Sequence, residues 1–130
     1  MCKIVIDTNV FISSRISSAG NPAKIMKLIT DDKIDLYYSS NILNEYKRVL
    51  SYTKFNFTVE VQKASVEDIK NIGNLIKPIK SDIFMPDESD RIFYDTANAA
   101  EAYLITGNIK HYPEESHIIT PTQFIEMFEI

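Results

Sequence analysis

The chain has 130 residues, which is room for one domain and enough apolar surface to fold without disulfide or metal staples. With 45% hydrophobic and 25% charged residues, 3 Gly and 5 Pro, its composition is that of an ordinary globular protein and excludes the collagenous, disordered and membrane-spanning classes. A net charge of −4 argues against a protein that coats nucleic acid by bulk electrostatics, but not against an enzyme whose acids hold a divalent cation and so reverse the local field.

Lys3 to Asp7 is a short β-branched run that predicts a buried strand, and Asp7-Thr8-Asn9 are residues that leave a strand or cap a helix. Ser13 to Asn21 reads as a Ser/Gly-rich link. Pro22 then opens a helix of about ten residues that carries Ile25, Met26, Leu28 and Ile29 and stops at Asp31-Asp32. Ile34 to Tyr38 predicts a second strand. Ser39 or Ser40 caps a helix in which Ile42, Leu43, Tyr46, Val49 and Leu50 recur at helical spacing.

Phe55 to Val61 is ambiguous, and Ser65-Val66-Glu67-Asp68 resembles a capping box that leads into Ile69, Ile72, Leu75 and Ile76. Lys77 to Phe84 reads as a connector with one extended segment. From Pro86-Asp87-Glu88-Ser89-Asp90 a strong helix starts, followed by a strand at Tyr103 to Thr106, a turn at Gly107-Asn108, a last strand at His117 to Thr120 and a final helix from Pro121. Strands alternating with helices predict an α/β fold of three layers: a mostly parallel sheet of four to five strands with helices on both faces. The whole chain, 1–130, is expected to be one domain, with no internal repeat or linker.

Cys2 is the only cysteine and His111 and His117 the only histidines, so neither a disulfide nor a structural zinc site is expected. The amino terminus lacks the apolar segment of a signal peptide and no apolar run is long enough to cross a bilayer, which predicts a cytoplasmic protein without membrane contact.

The residues that carry chemistry are acids. Ligands of an open parallel sheet bind outside the carboxyl ends of its strands. Asp7 stands at one such end, Thr106 and Asn108 at another, and Asp90 in the first turn of the helix that returns to that second strand. Glu45 falls at the edge of its helix's apolar stripe and can reach the same rim. Oxygen donors of this kind suit Mg²⁺ or Mn²⁺. Taken singly, each has an ordinary reading: Asp7 as a turn residue, Asp87, Glu88 and Asp90 as helix-capping acids, Glu45 as a solvated helix residue, Asn108 as half of a turn pair.

Together they match a pattern. Ile4-Val5-Ile6-Asp7-Thr8-Asn9-Val10 resembles the first motif of PIN-domain ribonucleases, and Ser39 to Tyr46, with Glu45 on the helix after the second strand, resembles the second. Pro86 to Ala97 and Tyr103 to Asn108 resemble the third and fourth. The spacing is similar to that of the VapC-like branch, the toxins of toxin–antitoxin systems. The resemblance implies a PIN-like fold and an endoribonuclease dependent on Mg²⁺ or Mn²⁺, acting on single-stranded or loop RNA. Asp7, Glu45 and Asp90 are the implied catalytic acids and metal ligands, Asp95 is a lesser ligand, and Asn9, Asp87, Thr106 and Asn108 are supporting residues. It also implies an antitoxin protein and a homodimer as partners. Many members carry Asp where this chain has Asn108, and an amide is a neutral, weaker ligand for Mg²⁺.

Substrate grip is assigned to Arg15, Lys47 and Lys110, with Arg48, Lys54 and His111 also available, and at least one of Lys47 and Arg48 is expected to flank the acids. Two competing readings stand beside the nuclease. One is a PIN-like binding module with weak or no turnover, which Asn108 and the acidic balance favour. The other is a receiver-like phosphoryl-transfer domain, which lacks here both a lysine-bearing strand end and a GxxxxGK phosphate loop.

Overall fold

The computed structural model describes residues 1–129. Five strands form one sheet: β1 (Lys3–Ile6), β2 (Asp35–Tyr38), β3 (Gly73–Leu75), β4 (Tyr103–Ile105) and β5 (Ile118–Ile119). Their order is β3-β2-β1-β4-β5 and every pairing is parallel. The helices are α1 (Thr8–Ile16), α2 (Asn21–Thr30), α3 (Ser40–Leu50), α4 (Val59–Ile72), α5 (Arg91–Ala100) and α6 (Pro121–Phe128).

The α/β fold expected from the alternation of elements is therefore present. The central strands read as continuous apolar runs because both of their faces are covered. Ile4, Val5 and Ile6 are fully buried, as are Leu104 and Ile105 beside them. Phe11, Tyr46, Phe93 and Phe124 supply the largest buried side chains, from four different helices.

Three expectations need correction. Ser13 to Asn21 is not all link: α1 starts directly after β1, with the Asp7 carboxylate as its N-cap accepting the Val10 N–H at 3.0 Å. Its buried apolar residues Val10, Phe11 and Ile12 are consecutive and Ile16 is exposed, so α1 shows no amphipathic stripe. The helix assigned to Ser65 onward starts earlier, at a Thr58 N-cap whose hydroxyl accepts from Val61 N–H at 3.1 Å, and Ser65 lies buried in its middle.

That helix also ends earlier, at Gly73, where the chain turns into β3, so the third strand lies before the Lys77–Phe84 connector and not within it. A Cβ at Gly73 would stand 2.7 Å from the Ile69 carbonyl and 2.8 Å from the Tyr38 ring, so only glycine lets β3 close onto β2.

The chain order places a switch in the middle of the sheet. From β1 it runs outward through β2 to β3, then returns to build β4 and β5 on the other side of β1. Beyond the carboxyl ends of β1 and β4 the connections diverge and leave a crevice, the standard ligand position of such sheets. Asp7 follows β1 and Thr106 follows β4, and the Asp7 N–H donates to the Ile105 carbonyl at 3.0 Å.

Candidate active site

A cleft of about 240 Å³ opens at this switch point, and Asp7, Asn9, Glu45, Asp90 and Asn108 line it together with Thr8, Arg48, Tyr52, Lys54, Phe55 and His111. The three acids come from separate places: the end of β1, the middle of α3, and the 3-10 turn Glu88–Asp90 that leads into α5.

Asp7 is buried. Burial raises its pKa, while hydrogen bonds from Thr106 and from the Val10 and Asn9 amides, and the nearby His111, favour the charged form. Thr106 is itself fixed, since its Oγ1 accepts the Asn108 N–H at 3.0 Å. Glu45 is tied twice: one carboxylate oxygen accepts from Thr8 Oγ1 at 3.3 Å and the other pairs with Arg48 on the same helix.

Asp90 is the least satisfied of the three. Its side chain is only 19% exposed and its Oδ2 has no hydrogen-bond partner. Burial pushes its pKa up to about 6, repulsion from Asp87, Asp7 and Glu45 adds to the shift, and His111 opposes it. A half-buried carboxylate among other carboxylates is stabilised in its charged form by a nearby cation. Tyr112, next in sequence to His111, is buried with its hydroxyl unpartnered, and burial followed by Asp7 and Asp90 raises its pKa well above the usual phenol range.

The remaining assigned residues fall elsewhere. Asp95 is not at the cleft: five residues along a helix is a turn of about 140°, and Asp95 faces the connector, where its Oδ2 accepts the Ser81 N–H at 3.1 Å. Asp87 is exposed and caps the turn through Ser89; its carbonyl accepts the Asp90 N–H at 3.1 Å, and its charge raises the Asp90 pKa. Arg15 pairs with Asp68 at 3.2 Å and lies over the Phe11 ring. Lys110 borders a separate depression with Tyr112 and Glu114.

Lys47 faces a groove between α3 and α4, while Arg48 lines the cleft. Helical phase explains the exchange: Arg48 is three residues from Glu45 and shares its face, and Lys47 is two residues away on the far side. Tyr52 and Phe55 were not identified from the sequence as part of the site. They reach it because α3 ends at Leu50 and the short turn Thr53–Phe55 folds back over the rim.

The donor set is all hard oxygen with one nearby imidazole, which suits a divalent cation. Among the described residues no three His, Cys, Asp or Glu side chains stand close enough together to hold an ion as they are placed. Glu45 is already paired with Arg48, so a cation would compete with that guanidinium for its carboxylate. Among the same residues no helix is long and apolar enough to cross a membrane.

Comparison with known proteins agrees with this fold. The PIN-domain family model matches residues 3–110. An uncharacterized protein of Methanocaldococcus jannaschii is 32% identical over 142 residues, spanning 98% of this chain and 92% of its own length. Among solved structures, VapBC2 from Rickettsia felis, bound to a DNA fragment from its promoter, superposes with a TM-score of 0.59 at 16% identity, over 91% of this chain and 96% of that one. PAE2754 from Pyrobaculum aerophilum gives 0.59 at 10% identity, over 99% and 98%. At such identities the two structures speak for the fold, and the family match speaks for descent. The chain belongs to the PIN-domain family, a family of nucleases.

Proposed function

We propose that this protein is an endoribonuclease dependent on Mg²⁺ or Mn²⁺ that hydrolyses phosphodiester bonds of single-stranded or loop RNA. The observation that carries this reading is the crowding of Asp7, Glu45 and Asp90 at the sheet's switch point, with a buried Asp90 oxygen left unbonded. Asp7, Glu45 and Asp90 would hold the cation. When bound, it supplies an activated water and neutralises the phosphate.

The chain's own residues do the rest. Asp7, fixed as the cap of α1, is a rigid anchor, and Thr8 holds the Glu45 carboxylate toward it. Arg48, 59% exposed, and Lys54 lie on the rim and meet phosphate oxygens once Arg48 leaves Glu45. Tyr52 and Phe55, stacked at 6.5 Å between centroids, offer flat faces to unpaired bases. This preference for unpaired bases supports single-stranded over duplex RNA.

The likeness to VapC-type toxins supports a toxin role with an antitoxin protein as inhibitor, and we include a homodimer in the reading. Light scattering of the purified chain, alone and with the product of a neighbouring small gene, checks both.

The test is cleavage of an unstructured RNA. Activity should require Mg²⁺ or Mn²⁺, stop with chelator, and vanish in Asp7→Asn and Asp90→Asn variants that stay folded. A second reading, a binding module without turnover, is favoured by the Arg48–Glu45 pair that closes the site and by Asn108. Specific RNA binding without cleavage at millimolar Mn²⁺ would select it.

A further inference from the structure

The position where many PIN domains carry an acid is Asn108 here, and the structure shows what that amide does. Its side chain turns to the imidazole of His111, with Nδ2 to Nε2 at 3.0 Å. The other ring nitrogen, Nδ1, stands 3.6 Å from Asp90 Oδ2, the atom that is buried and without a hydrogen-bond partner. His111 lines the same cleft as Asp7, Glu45 and Asp90, on the 3-10 turn Ile109–His111.

We propose that His111 is a ligand of the cation, through Nδ1, and that Asn108 is its positioning residue. This rests on the cation-binding reading of the cleft and adds a nitrogen donor to it. Two neighbouring ligands of one ion, at metal–ligand distances of roughly 2.1 Å, stand about 3.0–3.4 Å apart. The Asp90–His111 separation is within a few tenths of an ångström of that.

A metal-ligating histidine also needs a partner for its second nitrogen, to fix the tautomer and the ring plane. A half-turn of the Asn108 amide brings its Oδ1 to where Nδ2 stands, and Nε2–H then donates to it while Nδ1 is free to coordinate. An aspartate at 108 would add a negative ligand. Asparagine instead serves the ring. The consequence is a change of cation preference: carboxylates alone suit Mg²⁺, whereas an imidazole tilts the site toward transition ions such as Mn²⁺ and Zn²⁺.

The experiment is calorimetric titration of the full chain with Mg²⁺ alone and with Mn²⁺ alone, for the native protein and for His111→Gln, Asn108→Ala and Asp90→Asn. Zn²⁺ is then added to ¹⁵N-histidine-labelled protein, with a His117→Gln variant to assign the two ring spectra. His111→Gln should weaken Mn²⁺ binding about tenfold while changing Mg²⁺ binding less than about threefold, and Asn108→Ala should follow it partway. The Nδ1 resonance of His111 should move on Zn²⁺ addition while Nε2 keeps its proton.

Equal Mn²⁺ affinities in the native and His111→Gln proteins, with a loss in Asp90→Asn, would overturn His111 as a ligand and leave the acidic site standing. Absence of any heat with either ion, or affinities that Asp90→Asn does not alter, would overturn both.

Discussion

Asp90 caps the start of α5 and Asp95 lies in its middle, both are largely shielded from water, and each has a buried oxygen without a hydrogen-bond partner. What separates them is the sign of their neighbours. Asp95 lies close to the guanidinium of Arg91, which bonds Glu88, the Ser81 carbonyl and hydroxyl, and the Ile83 carbonyl, so that Arg91 ties the 81–83 connector to α5. Asp90 has Asp87, Asp7 and Glu45 around it, and only His111 to oppose them. The first arrangement has a cation beside it and serves the fold. The second has no positive side chain bonded to it, and under the proposed function a cation from solution would fill that place.

The largest effect that sharpens this contrast is on turnover. Asp90→Asn should lower RNA cleavage by about 10²–10³-fold, whereas Asp95→Asn, assayed at a temperature where it is folded, should stay within about fivefold of the native rate. Equal losses in the two would erase the distinction.

Stability should divide the other way. Arg91→Ala leaves the Ser81 and Ile83 carbonyls without their donor, removes the positive charge near Asp95, and should cost about 3 kcal/mol in urea unfolding. Asp90→Asn should stabilise the cation-free protein at neutral pH by about 1 kcal/mol, a figure reduced for partial exposure.

The pH dependence follows the same sign. The folded pKa of Asp90 is above its unfolded value near 3.8, so the folded state binds the proton more tightly. Its favourable contribution is full below about 3.8 and is lost as pH rises through about 6. Stability of the cation-free native chain should thus fall across that window, and Asp90→Asn should flatten the fall. Mg²⁺ should restore the loss at pH 7 in the native protein and not in the variant.

The smallest effects concern the basic residues. Arg48→Ala should raise KM for RNA several-fold with kcat little changed, while Arg15→Ala and Lys47→Ala should leave both within about twofold, since neither faces the cleft.

Much of this was readable from sequence because the residues sit where periodicity and motif spacing agree. Asp7 closes a β-branched run, Glu45 borders a regular apolar stripe, and Asp90 opens a strong helix, so all three could be placed on one rim. What escaped had no such signal. The first helix carries Val10-Phe11-Ile12 without alternation, and β3 is three residues, two of them exposed, at the edge of the sheet. Asp95 was drawn toward the site by proximity in sequence, although its helical phase from Asp90 argued otherwise. Lys47 and Arg48 could have been told apart by the same rule. The turn of Asn108 to His111 depends on side-chain rotamers in a 3-10 turn, which sequence spacing does not encode.

The most direct test of the central claim is a crystal of the protein soaked in Mn²⁺, with anomalous diffraction locating the ion. The account predicts a peak between Asp7, Glu45 and Asp90, with Arg48 swung away from Glu45. A cleft empty at millimolar Mn²⁺, or an ion held instead beside Glu88 and Asp95, would contradict it.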